Sequence, residues 1–264
     1  MDREKELAVS SAMRARVLGT LATIEQQYHV RVLYACESGS RGWGFASPDS
    51  DYDVRFIYVH QPEWYLRVEP PRDVIELPID AELDVCGWEL RKTLGLMKAA
   101  NPTLMEWLDS PVVYRQDDEA TAALRSQMPL FFSDLRARYH YLSMAKKNFR
   151  GYLQGEQVRL KKYFYVLRPL LAVRWIEAGK GVPPMRFDHL LAGTISDQVL
   201  LAEIEALLVS KSQAGEAEYG PRRELLHAFI LHELNDTQRP ALADGTRRDS
   251  SALDRLLMQT VLAG

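Results

Sequence analysis

The chain has 264 residues, 47% of them hydrophobic and 26% charged, with a net charge of −3, so it can bury one large core or two modest ones and has the composition of a globular protein. The slight negative balance excludes a global field that attracts nucleic acid, so any such contact needs a local patch. Two cysteines, Cys36 and Cys86, exclude a disulfide framework and a zinc cluster; with a charged start and no apolar run of membrane length, they point to a cytoplasmic protein with no membrane partner.

Residues 3–28 read as a helix, because Met13, Val17, Leu21, Ile24 and Tyr28 form one apolar stripe. An apolar strand follows at 30–36, with both faces covered. The stretch 37–50 then reads as a loop rich in glycine, and a strand over 51–59 opens with Asp51 and Asp53. Residues 60–78, with four prolines, read as an irregular excursion with a short hairpin or turn. Residues 79–86 alternate apolar and acidic, which predicts a strand carrying Asp80, Glu82 and Asp84 on one face. A helix is expected from 89 to 99, another capped by Asn101 with Pro102 at its first position, and a short strand at 111–114. Beyond 117 only helices are expected: 118–128, 133–153, 156–178, 189–192, 197–209, 221–235 and 251–263, the last with Ser251 and Asp254 as a capping box. The fold class is therefore α+β, with a mixed sheet and helices over 1–116 and an all-helical part over 117–264, the two packing to form a cleft.

Three glycines within six residues, Gly39, Gly42 and Gly44, permit backbone conformations closed to other residues and a close approach of N–H groups to phosphate. Asp51 and Asp53 are two apart, so on a strand they share a face and repel each other. A divalent cation is the simplest partner that offsets this, and Mg²⁺ is satisfied by carboxylate, phosphate and water oxygens. A carboxylate pair beside a phosphate loop is what phosphoryl chemistry requires. The remaining candidates are weaker. His227 and His232 do not share a helix face, Arg55 is two residues past Asp53 and suited to pair with it, and Trp43 sits inside the glycine loop.

Gly39-Ser40, ten intervening residues, then Asp51-x-Asp53 resembles the active-site motif of the DNA polymerase β-type nucleotidyltransferases. The fuller string from Glu37 to Phe45 resembles a narrower bacterial family, labelled as polymerase-β-like proteins of an RNA repair pathway. The wider resemblance covers about the first 110 residues; the narrower one continues into the helical remainder. It implies a third carboxylate on a later strand, for which Asp84 is preferred and Glu82 is second. It implies two Mg²⁺ ions, with Mn²⁺ as an alternative, held by Asp51, Asp53 and Asp84, and phosphate contacts from Gly39, Ser40 and Arg41. It also implies a helical region that grips the nucleotide, for which Lys161, Lys162, Tyr165 and Arg168 are the candidates. Lys161 is preferred over Lys162, because it aligns with Tyr165 and Arg168 on a continuous helix. The expected reaction transfers a nucleoside monophosphate from an NTP to an acceptor hydroxyl, with an RNA end as the acceptor the family label suggests. The rival readings are a non-catalytic nucleotide or RNA binder, and transfer to a protein or small molecule.

Overall fold

The computed structural model describes residues 9–47, 49–80, 82–213, 219–243 and 249–263. The part of the first expected helix before Val9 lies outside the described residues. The chain divides into two compact units, one from the described residues of 1–42, 51–131 and 247–264, the other from those of 43–50 and 132–246. The expected boundary at 116 therefore falls inside the first unit, which keeps the next helix, and the second half of the glycine stretch belongs to the second unit.

The first unit is built on a mixed five-stranded sheet of order β3-β4-β2-β1-β5. Its strands are β1 (Val30–Glu37), β2 (Tyr52–His60), β3 (Val74–Glu76), β4 (Leu83–Glu89) and β5 (Val113–Gln116). β1 pairs antiparallel with both β2 and β5, whereas β2 and β4 run parallel. Helix α1 (Ser11–Tyr28) covers one face, with Met13, Val17, Leu21 and Ile24 packed against Val54, Phe56, Tyr58 and Val85. Gly87 of β4 lies opposite Phe56 of β2, where an added Cβ would fall 2.3 Å from the ring. The alternation that buries Val54 and Phe56 sends Asp53 and Arg55 to the other face.

Between β1 and β2 the chain forms one short helix, α2 (Gly39–Trp43), and not the open loop expected. β4 begins at Leu83 rather than 79, because the Asp80 carboxylate accepts the N–H groups of Glu82 and Leu83 and closes a local turn first. The excursion after β2 contains helix α3 (Pro62–Tyr65). Helices α4 (Leu90–Lys98), α5 (Pro102–Leu108) and α6 (Asp118–Phe131) complete the main run, and Asn101 caps α5 by accepting Leu104 N–H.

His60 ends β2 with its ring stacked on Trp64, centroids 4.4 Å apart and planes at 9°. Burial, then the Arg67 charge, push the imidazole down from 6.5 to about 4. The unfolded chain binds a proton in that window that the folded one does not. The neutral-state stability is therefore intact above 6.5 and is lost as pH falls toward 4. Urea unfolding of His60→Phe, which keeps the stack, is expected to show a shallower loss over this window than the parent. Parallel pH profiles would refute the assignment.

The second unit packs α7 (Asp134–Tyr152), α8 (Phe164–Glu177), α9 (Phe187–Thr194), α10 (Gln198–Gln213) and α11 (Glu224–Asn235) around one core. Residues 157–159 form a strand, β6 (Gln157–Arg159), paired antiparallel with β7 (Tyr219–Pro221) where only helix was expected. A 3-10 turn (Leu160–Tyr163) follows, so the helix expected from 156 begins at Phe164. That helix is buried nearly all round, including Arg168, so it has no broad polar face.

The last helix, α12 (Ser251–Leu262), returns to the first unit. The capping box expected from Ser251 is absent: Ser250 is the N-cap, without a side-chain bond, and the Ser251 hydroxyl instead donates to Asp249. Among the described residues no helix is long and apolar enough to cross a membrane.

Candidate active site

The end of β1 grips the start of β2 through Asp53. Ser38 N–H donates to the Asp53 carbonyl at 2.8 Å, and Asp53 N–H donates to the Glu37 carboxylate at 2.8 Å. The second Glu37 oxygen accepts the Tyr114 hydroxyl from β5. Glu37 is fully buried, and that burial pushes its carboxyl up to about 7. The bonds from Tyr114 and Asp53 N–H oppose the rise, and the Asp53 charge adds to it. Glu37 is thus an anchor for Asp53, a role the sequence reading missed. The signal was present: an acidic residue ends an otherwise apolar strand immediately before Ser38-Gly39-Ser40.

Gly39 has φ +58, and a Cβ placed there would lie 2.0 Å from Asp53 Oδ2. The glycine is required by the approach of a carboxylate to its Cα. Ser40 is half-buried beside it. Arg41 is buried, with its guanidinium 3.8 Å over the Tyr52 ring.

Parallel pairing of β2 and β4 sets Asp53 directly beside Asp84. Their side chains are 30% and 29% exposed, open enough to meet a ligand. Arg55 reaches between them: Nη2 donates to Asp84 Oδ2 at 2.7 Å and to Asp53 Oδ1 at 3.2 Å, and Nη1 donates to the Asp84 carbonyl at 3.1 Å. Burial works against the guanidinium charge, but the Asp84 bond and the Asp53 charge outweigh it and hold Arg55 above its ordinary pKa.

Asp51 is exposed and lies one residue before β2, so the argument from a shared strand face does not reach it. Glu82 is exposed too, and with Asp80 it turns to Arg16 on α1. Among the described residues, no three His, Cys, Asp or Glu side chains are gathered where they could hold one metal ion. The structure therefore brings Asp53 and Asp84 together and leaves Asp51 and Glu82 outside the pair.

In the second unit, Trp43 meets Tyr165 edge-on at 5.6 Å, and the Arg168 guanidinium lies 5.0 Å from the Trp43 ring. Arg168 Nη2 also donates to the Met185 carbonyl at 3.2 Å. Lys162 stands against Tyr165, its Nζ 4.4 Å from the ring. The 3-10 turn rotates the two lysines away from the positions a continuous helix would give them. Trp43 Nε1–H is buried and has no hydrogen-bond partner among the described residues.

Asp53 and Asp84 thus stand side by side, with Gly39 at the end of β1 cleared against the first of them. The model of the RNA repair pathway DNA polymerase beta family matches residues 13–259, and the chain belongs to that family. It is 47% identical over 251 residues to the uncharacterized protein YcgL of Bacillus subtilis (strain 168), across 94% of this chain and 96% of that one. It is also similar to a nucleotidyltransferase-like protein from Exiguobacterium sibiricum 255-15, at 15% identity and a TM-score of 0.30, over 92% of this chain and 75% of that one. Nucleotidyl transfer is the activity class that family membership supports.

Proposed function

We propose that the protein transfers a nucleoside monophosphate from an NTP to the terminal hydroxyl of an RNA, with a divalent cation, and releases pyrophosphate. The observation that supports this reading is the pair Asp53 and Asp84, side by side in register with Gly39 cleared against Asp53. The fit to Mg²⁺ is one of charge and donor type. Asp53 and Asp84 are adjacent carboxylates that both reach the Arg55 guanidinium, and Mg²⁺ commonly takes one or two carboxylates and completes its shell with phosphate and water. Asp53 and Asp84 would hold it; a second ion would call on Asp51 as well. When bound, the ion lowers the pKa of the acceptor hydroxyl and neutralises the triphosphate.

The chain's own residues supply position. Glu37 and Ser38 fix the Asp53 backbone, so its carboxylate points from a rigid strand. Gly39, Ser40 and Arg41 serve the phosphates. The acceptor oxygen bonds to the α-phosphorus as the bond from that phosphorus to pyrophosphate breaks. The RNA acceptor is supported by the family description. Incubation with Mg²⁺, each NTP labelled at its α-phosphate and a mixed RNA pool tests it. Label is expected on RNA; label only on protein or small molecules would reassign the acceptor.

Arg55 supplies a test that does not depend on activity. Arg55→Met removes the guanidinium that the Asp53 and Asp84 carboxylates share, a loss of about 1–3 kcal/mol. Added Mg²⁺ is expected to raise the thermal midpoint of this variant more than that of the parent. An equal shift in both would argue that the pair does not bind cation.

A further inference from the structure

The second unit carries a basic, tyrosine-bearing surface. Between 146 and 162 stand Lys146, Lys147, Arg150, Arg159, Lys161 and Lys162 against a single acidic residue, Glu156, in a chain whose net charge is −3. Lys146, Lys147, Arg150 and Arg159 are exposed. Two tyrosines lie among them with unusually open rings, Tyr152 at 48% and Tyr219 at 61% exposure. Each carries a cation on its ring: Lys162 Nζ is 4.3 Å from the Tyr152 centroid, and the Arg159 guanidinium carbon is 5.5 Å from that of Tyr219.

The placement is fixed. The β6–β7 ribbon sets Arg159 directly opposite Tyr219. Beneath it, Val158 is buried and Leu160 packs against Gly220. Arg222 N–H donates to the Glu156 carbonyl at 2.8 Å and closes the ribbon's end. The α7 end brings Arg150 and Tyr152, and Lys162 spans from Tyr152 to Tyr165.

We propose that this face, formed by the end of α7, the β6–β7 ribbon and the 3-10 turn, binds single-stranded nucleic acid. Polyanion complementarity explains the charge, and open rings flanked by cations are the platform on which unpaired bases stack. A duplex presents phosphates but keeps its base faces stacked away, so the tyrosines favour the single strand. As the surface that holds the acceptor, it rests on the transfer reading; as a binding surface, it does not.

The probe is a fluorescent oligouridylate, titrated with the full chain by anisotropy, without NTP and with chelator. Binding is expected to weaken as salt rises. Tyr152→Ala with Tyr219→Ala is expected to lower affinity about tenfold or more. Arg159→Ala is expected to reduce the slope of log affinity against log salt by about one. Circular dichroism checks that the variants are folded. Asp53→Asn is expected to bind like the parent, which separates this claim from catalysis. No binding at low salt would overturn the proposal, as would an unlabelled duplex of equal length competing as well as the single strand, or undiminished affinity in the double tyrosine variant. If label transfer to another acceptor persists while oligonucleotide binding fails, the surface falls and the transferase reading stands.

Discussion

Asp53→Asn is expected to reduce nucleotidyl transfer by at least about 10²–10³-fold while leaving the protein folded. The substitution keeps the size of the side chain and removes one of two negative charges held side by side. Arg55 retains its shorter bond to Asp84 at 2.7 Å, and a half-exposed pair contributes little to stability, so unfolding is expected to change by only about 1 kcal/mol. Asp84→Asn is expected to behave the same way. Two residues that hold one cation act as a unit, so the double variant is expected to lose little beyond either single one. Steady-state rates and urea unfolding of the three variants check this. Additive losses would mean that the carboxylates act separately.

Gly39→Ala is expected to be nearly as damaging, for a reason confined to the backbone and one neighbour. At φ +58 an alanine is strained, and its Cβ would sit 2.0 Å from Asp53 Oδ2, so the carboxylate must move. The expected cost is about 1–3 kcal/mol of stability together with a loss of transfer that approaches that of Asp53→Asn. Gly19→Ala is the control. Gly19 lies within α1 with nothing near its added Cβ, so that variant is expected to gain about 0.5–1 kcal/mol with unchanged activity. A Gly39→Ala protein with normal transfer would show that the glycine only turns the chain.

Features set by local pattern were readable in the sequence. The apolar run of β1, the period-two burial of β4 and the stripe of α1 each follow from which faces meet a core. Asp84 could be preferred over Glu82 because it sits within the apolar run, and β4 does seat it beside Asp53. What could not be read depended on partners elsewhere. β6 exists because Val158 and its neighbours meet residues 219–221, some sixty positions away. Asp80 fitted the strand alternation, yet its carboxylate binds the backbone just ahead and ends the pattern. Arg168 fitted a polar stripe, but α8 is covered nearly all round and the guanidinium is held inside by Met185 and Trp43. Glu37 looked like a loop flank; only β5, bringing Tyr114, reveals it as the anchor of Asp53.

The central claim is that Asp53 and Asp84 serve nucleotidyl transfer. Pyrophosphate release tests it most directly. The parent protein, NTP, Mg²⁺ and RNA are expected to give one pyrophosphate for each nucleotide joined to RNA, and none when chelator replaces Mg²⁺ or when Asp53→Asn replaces the parent. Pyrophosphate release and nucleotide joining that continue undiminished in Asp53→Asn, or in the presence of chelator, would contradict the account.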